Sequence, residues 1–147
     1  MSERGLTLSL AESVTCGMAA DKLANAQGTS EVLMGSLVCY TPEVKMKVLG
    51  VSKAVIDKHT CESIEVTEEM AKRLGELMPA DVCAAITGLA SPGGSETKAK
   101  PVGTVFFCVK YGKQLLKERK LFRDTPQQIR RKACEYLYQM ILKKIKQ

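Results

Sequence analysis

Val82-Cys83-Ala84-Ala85-Ile86 is an unbroken apolar run, and a glycine-rich segment, residues 87–100, follows it directly. A strand that is buried on both faces shows such a continuous hydrophobic run, whereas a strand with one solvated face alternates. The run therefore predicts a central strand that is covered on both sides, with a loop at its carboxyl end.

Segments with strand and helix patterns alternate on either side of this run. Strands are predicted at residues 6–11, 37–41, 102–109 and 113–122, with a hairpin turn at Tyr111-Gly112. Helices are predicted at residues 16–25, 43–49 and 65–78, the last with Ser63 or Thr67 as its N-cap. This alternation is typical of α/β proteins. We expect a three-layer α/β/α sandwich with a mixed sheet, built by residues 1–147 as one domain.

The last helix has the clearest start signal in the sequence. Thr125, Pro126 and Gln128 fit an N-cap, a proline at the first helical position and a capping-box glutamine. Apolar residues then recur at helical spacing, which predicts one buried stripe: Ile129, Ala133, Leu137, Met140, Ile141 and Ile145.

Composition limits the class of protein. Of the 147 residues, 45% are apolar and 26% are charged, as in a soluble globular domain. No apolar stretch has the length of a membrane span or of a secretory signal, so we expect a cytoplasmic protein without membrane contact. The six cysteines lie 22 to 26 residues apart, without a CxxC pair, and there is one histidine. This spacing favours reduced thiols over disulfides and predicts no metal site.

The net charge of +6 is unevenly distributed. Residues 1–75 hold eight basic and ten acidic side chains, whereas residues 76–147 hold fourteen and six. Nucleic-acid modules usually combine such charge with aromatic side chains that stack on bases. The chain has no Trp, and Tyr136 and Tyr138 fall within the helical pattern. Nucleic-acid binding is therefore disfavoured, and a solvated basic face that suits an anionic small molecule is expected.

Two predicted strand ends carry residues that could do chemistry. At the first, Ser13 could act as a nucleophile and the following helix start could hold an anion, although Ser13 and Thr15 are equally typical of N-caps. Glu12 beside them is either an orienting carboxylate or an exposed charge. At the second, Tyr40 could bind a substrate and Lys45 could act as a base if burial lowers its pKa, or both could be ordinary surface residues.

The loop after the central strand is the third such place. Its glycines, among them Gly88, Gly93 and Gly94, would allow backbone amides to approach a phosphate closely. The loop lacks the Gly-Lys-Ser/Thr end of a Walker motif, so a plain loop and an anion cradle are both open.

Six ordered segments together resemble a known family. They read A-E-S-V-T-C-G (11–17), C-Y-T-P-E-V-K (39–45), H-T-C-E-S (59–63), T-G-L-A-S-P-G-G (87–94), K-P-V-G-T-V (100–105) and R-D-T-P-Q-Q-I-R (123–130). In this order they resemble the C-terminal domain of the CinA family, the nicotinamide-nucleotide amidohydrolases. That family has A-E-S-C-T-G-G, T-Y-S-N-x-x-K, H-G-A-V-S, T-G-I-A-G-P-G-G, K-P-V-G-T-V and G-D-R-x-x-I-R. Without the family's N-terminal molybdopterin-binding-like domain, the chain resembles the stand-alone form.

The departures of the chain from the family pattern include four positions near the predicted site. Val14 stands for a cysteine, Cys16 and Ser91 stand for glycines, and Pro126 stands where the family often has arginine. A side chain at Cys16 is expected to crowd the turn that would receive an oxyanion.

The resemblance implies hydrolysis of the carboxamide of nicotinamide mononucleotide to nicotinate mononucleotide and ammonia, without a cofactor. It implies Ser13 as nucleophile, Lys45 as base and Tyr40 as a positioning hydroxyl. The implied substrate-binding residues form a larger set: Glu12, Thr15, Cys16, Gly17, Gly88, Ser91, Gly93, Gly94 and Arg130. Amides around 15–17 would hold the oxyanion, and the loop with Arg130 would hold the phosphate. A homodimer is also implied. The alternative is a catalytically weak nucleotide-binding module, or an interaction module associated with competence or DNA damage.

Overall fold

A five-stranded mixed sheet forms the centre of the molecule. The computed structural model describes residues 1–146. The strands are β1 (Leu8–Glu12), β2 (Leu33–Val38), β3 (Val82–Gly88), β4 (Thr104–Tyr111) and β5 (Gln114–Leu121), in the spatial order β2-β1-β3-β4-β5. β1 pairs in parallel with both β2 and β3, whereas β3, β4 and β5 are antiparallel neighbours.

The helices lie on both faces of this sheet. A short 3-10 helix at Ser2–Arg4 precedes β1. The α-helices are α1 (Met18–Ala24), α2 (Thr29–Val32), α3 (Pro42–Lys47), α4 (Lys53–His59), α5 (Ile64–Leu77) and α6 (Pro126–Ile145). In residues 1–146, no helix combines the length and the hydropathy needed to cross a membrane.

The central strand β3 separates two hydrophobic cores, as its continuous apolar run predicts. Val82, Ala84 and Ile86 pack on one side with the buried stripe of α6. Cys83 and Ala85 pack on the other side with the buried face of α5. Because successive side chains of a strand point to opposite faces, β3 contributes to both cores. The prediction of a three-layer α/β/α sandwich is confirmed.

The N-caps predicted from the sequence are confirmed, but the capping box at Gln128 is not, because the Thr125 amide donates to the Asp124 carboxylate at 2.8 Å. The Thr125 hydroxyl accepts a hydrogen bond from the Gln128 amide at 3.4 Å, and Pro126 is the first residue of α6. The Ser63 hydroxyl caps α5 by accepting from the Val66 amide at 3.2 Å, so Ser63 rather than Thr67 is the N-cap.

The largest difference from the sequence prediction is at the edge strand. The strand predicted at 37–41 is observed at Leu33–Val38. The chain leaves the sheet after Val38 because the carbonyls of Cys39 and Tyr40 turn toward the Lys45 amine and Thr41 caps α3. The short helices α2 and α4 were not predicted, since neither is long enough to show an apolar stripe.

The parallel pairing brings three strand ends to one edge of the sheet. Glu12, the last residue of β1, is in register with Val38 of β2 and with Ile86 of β3. In α/β sheets, ligands bind beyond the carboxyl ends of such strands. The segments that follow β1, β2 and β3 are the three that the sequence singled out.

Candidate active site

A cleft of about 320 Å³ opens where these three segments meet. That volume is at the lower end of the range of small-molecule sites, about 300–1,000 Å³. Seven of the residues predicted for the site line it: Ser13, Tyr40, Gly88, Ser91, Gly93, Gly94 and Arg130. The others that line it are Val14, Glu62, Leu89, Ala90, Pro92 and Pro126.

Ser13 and Lys45 form a buried pair at the base of the cleft. Ser13 follows β1 directly, and its amide donates to the Ile86 carbonyl at 3.1 Å, which fixes its backbone to β3. The Lys45 Nζ lies 3.0 Å from the Ser13 Oγ, and Lys45 is 1% exposed. A serine hydroxyl within hydrogen-bond distance of an amine is the arrangement in which the amine can take up the hydroxyl proton.

The surroundings of Lys45 suit a neutral amine. Its Nζ also lies 2.7 Å from the Cys39 carbonyl and 3.2 Å from the Tyr40 carbonyl. Two N–H groups can therefore donate to the two carbonyls while the nitrogen lone pair accepts from the Ser13 hydroxyl. Burial lowers the pKa of Lys45, because removal from water disfavours the ammonium form. Both protonation states keep their hydrogen bonds, so a proton can move between the two side chains.

Helix α3 holds Lys45 in this position. Thr41 caps the helix by accepting from the Val44 amide at 3.3 Å, and Pro42 occupies its first turn. Lys45 therefore points back toward the end of β1. The Tyr40 side chain is 63% exposed at the rim of the cleft, where its hydroxyl has no hydrogen bond to any part of residues 1–146.

Glu12 is not at the cleft surface, contrary to its predicted role in substrate binding. It is fully buried, and Oε2 accepts from the Thr15 hydroxyl at 2.7 Å and from the amides of Gly17 and Ala19 at 3.0 Å. Oε1 accepts from the Ala20 amide at 3.0 Å and from the Ser36 hydroxyl at 2.8 Å. Glu12 thus neutralises the start of α1, and it positions the turn that carries Ser13.

The predicted oxyanion donors also need correction. The Cys16 amide donates to the Ser13 carbonyl at 3.1 Å, and the Gly17 amide is taken by Glu12. Within residues 1–146, the amides of Val14 and Thr15 have no acceptor. Of these two residues only Val14 lines the cleft, so its amide is the available donor, and α1 does not present a free N-terminus to a ligand.

The Cys16 side chain does not crowd the cleft. Cys16 has a φ of 49°, which explains why a glycine suits this position, but its side chain is exposed and does not line the cleft. Thr15 and Gly17, like Cys16, do not line the cleft.

The glycine-rich loop is shaped by close approaches. A Cβ at Gly88 would lie 2.8 Å from the Thr104 carbonyl oxygen, and Gly93 has a φ of 98°. Ser91 has no positive φ, so a side chain is accommodated there without backbone strain. The Gly93 amide already donates to Glu96 at 2.8 Å, which leaves this amide unavailable to a phosphate.

A cluster that the sequence analysis missed anchors this loop. The Lys100 Nζ donates to the Thr60 hydroxyl at 2.7 Å, to the Glu62 carbonyl at 2.8 Å and to the Ser95 hydroxyl at 2.7 Å. The Ser95 hydroxyl in turn donates to the Glu62 carboxylate. Lys100 is 40 positions from Thr60 and 38 from Glu62, so no local pattern could have shown these two contacts. The match to K-P-V-G-T-V was the only signal at Lys100.

Arg130 presents an unfilled donor to the cleft. Its Nε is buried and has no hydrogen-bond partner in the described part of the chain, and its guanidinium makes no ion pair there. Unpaired buried polar groups are rare, because each costs about 1–3 kcal/mol. Arg130 also lines the cleft, and a guanidinium suits phosphate in particular, so Arg130 is the candidate contact for an anionic ligand.

Fold and site together define a class: α/β proteins that hold a serine–lysine pair beyond the ends of parallel strands. The family follows from comparison with known proteins. The chain belongs to the CinA family, because the family described as the CinA C-terminal domain matches residues 1–145.

Two curated relatives show how far this similarity extends. A CinA-like protein of Pseudothermotoga lettingae is 38% identical over 144 residues, which are 97% of this chain and 35% of that protein. A CinA-like protein of Petrotoga mobilis is 39% identical over 137 residues, which are 92% of this chain and 34% of that protein. The chain thus spans about a third of the length of these relatives.

Solved structures agree with the fold. The competence damage-inducible protein A (ComA) of Klebsiella pneumoniae superposes with a TM-score of 0.92 at 29% identity, covering 97% of this chain and 88% of that one. A competence-damaged protein (CinA) superfamily protein of Escherichia coli has a TM-score of 0.89 at 31% identity, covering 95% and 81%. The α/β architecture is therefore that of the CinA superfamily.

Proposed function

We propose that the protein hydrolyses the carboxamide of nicotinamide mononucleotide to nicotinate mononucleotide and ammonia. The observation that carries the proposal is the 3.0 Å approach of the buried Lys45 amine to the Ser13 hydroxyl. Burial lowers the pKa of Lys45, so a larger fraction of this amine is neutral and able to act as a base. The choice of the nicotinamide carboxamide as substrate comes from the resemblance of the sequence to the nicotinamide-nucleotide amidohydrolases.

The first half of the reaction forms an acyl-enzyme. The Ser13 Oγ attacks the amide carbon while Lys45 takes the hydroxyl proton, and the carbonyl oxygen becomes an oxyanion. The Val14 amide, which has no acceptor within residues 1–146, is the donor that the cleft offers, and one such donor contributes about 10²–10³ in rate. When the intermediate collapses, the C–N bond breaks and Lys45 gives its proton to the leaving nitrogen, which departs as ammonia.

The second half regenerates the serine. Water attacks the ester carbon, and Lys45 takes a proton from that water. Collapse of the second intermediate breaks the bond to the Ser13 Oγ, which recovers its proton from Lys45. The nicotinate product then leaves, and every proton has passed through the same amine.

The phosphate is assigned to Arg130. Its buried Nε lacks a partner within residues 1–146, and Arg130 lines the same cleft as Ser13 and the glycine-rich loop. A phosphate at this end would leave the ring and its amide directed toward Ser13. We further propose that the reaction takes place in the cytoplasm, where the six free thiols would stay reduced.

Ammonia release from nicotinamide mononucleotide tests the proposal. We expect release by the wild type and its loss in Ser13→Ala and Lys45→Met, because each lacks one half of the pair. Ser30→Ala, an exposed serine of α2, serves as the control and should keep the wild-type rate. Release that persists in Ser13→Ala would remove Ser13 as nucleophile. A folded wild type that binds the nucleotide but releases no ammonia would instead identify a nucleotide-binding module.

A further inference from the structure

The cleft has two charged residues of opposite sign in its lining. Among the residues that line it, Arg130 is basic and Glu62 is acidic, and the remainder are uncharged. An acidic side chain is unexpected in a pocket for a phosphate ester, because a carboxylate repels a phosphate at short range. Glu62 therefore needs a partner other than the phosphate.

Glu62 is held in place by the cluster that anchors the loop. The Ser95 hydroxyl donates to its Oε2, and Lys100 donates to its backbone carbonyl at 2.8 Å. Its Oε1 has no hydrogen bond to any residue in 1–146. One carboxylate oxygen of Glu62 therefore bonds to the loop, and the other is available to a ligand.

Glu62 lines the same cleft as Ser13. Its negative charge acts on Lys45 and raises the pKa of that amine, opposing the larger effect of burial. A negative charge that acts electrostatically on Lys45 also acts on a ligand whose amide carbon has reached the Ser13 Oγ.

We propose that Glu62 recognises the positive charge of the ligand's ring, so that the site selects zwitterions: N-substituted pyridinium carboxamides that also carry a phosphate. This inference rests on the proposed function for the orientation of the ligand. With the amide at Ser13 and the phosphate at Arg130, the ring lies between them, along the wall that Glu62 lines. The cationic ring then faces the carboxylate while the phosphate faces the guanidinium.

This selectivity would belong to the present chain rather than to the whole family. The family segment reads H-G-A-V-S, and this chain reads H-T-C-E-S, so Glu62 stands where the family motif has valine. Ser95 and Lys100 then provide the contacts that keep the carboxylate in place.

The test compares two ligands that differ in ring charge. In a Ser13→Ala background, which prevents turnover, calorimetry measures the Kd of oxidised nicotinamide mononucleotide and of its reduced dihydropyridine form. The reduced form keeps the phosphate and the amide but has a neutral ring. We expect Glu62→Gln to weaken binding of the oxidised form about fivefold to tenfold and to change the Kd of the reduced form less than twofold.

Two further variants control the experiment. Glu65→Gln removes an equal charge three residues away, outside the cleft, and should change neither Kd. Glu62→Val introduces the family residue and should repeat the loss for the oxidised form. A melting curve of each variant establishes that the comparison is made between folded proteins.

The outcomes separate this inference from the proposed function. Equal weakening of both ligands, or no weakening of either, would overturn charge recognition and leave Glu62 as a loop contact. Glu62-dependent binding of the oxidised form, with no ammonia release by the wild type, would keep charge recognition and overturn the amidohydrolase. Binding of neither ligand would overturn both.

Discussion

At the scale of single residues, the pair of Ser13 and Lys45 depends on the charge around it. Burial favours the neutral amine, and the Glu62 carboxylate favours the ammonium. Activity should therefore rise with pH as Lys45 loses its proton. Glu62→Gln removes the group that stabilises the ammonium, so the pKa of Lys45 should fall further and the acidic limb of kcat/KM should move to lower pH. Profiles of kcat/KM against pH for wild type and variant measure this. A shift to higher pH would contradict it.

Glu12 is expected to matter mainly through the fold. Its carboxylate accepts five hydrogen bonds in a fully buried position, three of them from backbone amides at the start of α1. Glu12→Gln would turn an amide N–H₂ toward these donors. The free energy of unfolding should fall by about 2–4 kcal/mol. Denaturant unfolding measures the loss, and Glu3→Gln, an exposed carboxylate, should change it by less than about 0.5 kcal/mol.

Cys16 is a departure from the family that we expect to be harmless. Its amide completes the turn after Ser13, and its side chain points away from the cleft. Cys16→Gly restores the residue that suits a φ of 49° and should leave kcat and KM within about twofold of wild type. Steady-state ammonia release checks this. A large rise in kcat would mean that the cysteine does hinder the oxyanion.

At the scale of elements, one side chain ties the loop between β3 and β4 to the segment before α5. Lys100 donates to three oxygens contributed by Thr60, Glu62 and Ser95. Lys100→Met keeps the stem and removes the three hydrogen bonds, so the loop and Glu62 lose their fixed position. We expect KM to rise about tenfold while kcat changes less, because Ser13 and Lys45 are held by other contacts. Lys98→Met, an exposed lysine of the same loop, should keep the wild-type KM.

The elements also show where sequence patterns sufficed. The caps at Ser63 and Thr125 and the double-sided burial of β3 depend on residues close together in the chain, and all three predictions are confirmed. The predicted end of β2 is wrong because it depends on Lys45. The amine of Lys45 binds the carbonyls of Cys39 and Tyr40, which therefore do not continue the strand. A sequence pattern within the strand itself does not show that contact.

At the scale of the whole molecule, β2 forms an edge of the sheet with exposed apolar side chains. β2 pairs only with β1, and its Met34 and Val38 side chains are 56% and 41% exposed. An open edge strand with exposed apolar side chains is a ready surface for another chain. We propose a homodimer that covers this edge, and we expect light scattering to give twice the chain mass.

Charged substitutions locate the dimer surface. Met34→Lys combined with Val38→Lys should shift the mass toward the monomer, because the added charges would be buried at the interface. Leu121→Lys, at the opposite edge on β5, should leave the dimer intact. A dimer that survives the first pair of substitutions would place its interface elsewhere.

The sequence by itself determined the classes of the main elements and the three segments that meet at the cleft. Apolar periodicity and helix capping depend on residues close together in the chain, so they can be read from the sequence. Ligands bind beyond the carboxyl ends of parallel strands, so the predicted strand ends indicated where a site would form. Tertiary structure decided which groups remain free within that cleft. Glu12 and the Ser13 carbonyl use the amides of Gly17 and Cys16, while the Nε of Arg130 has no partner in the part of the chain that the structure describes. Hydrogen-bond donors are distributed among acceptors by three-dimensional proximity, and this distribution is settled only when the chain has folded.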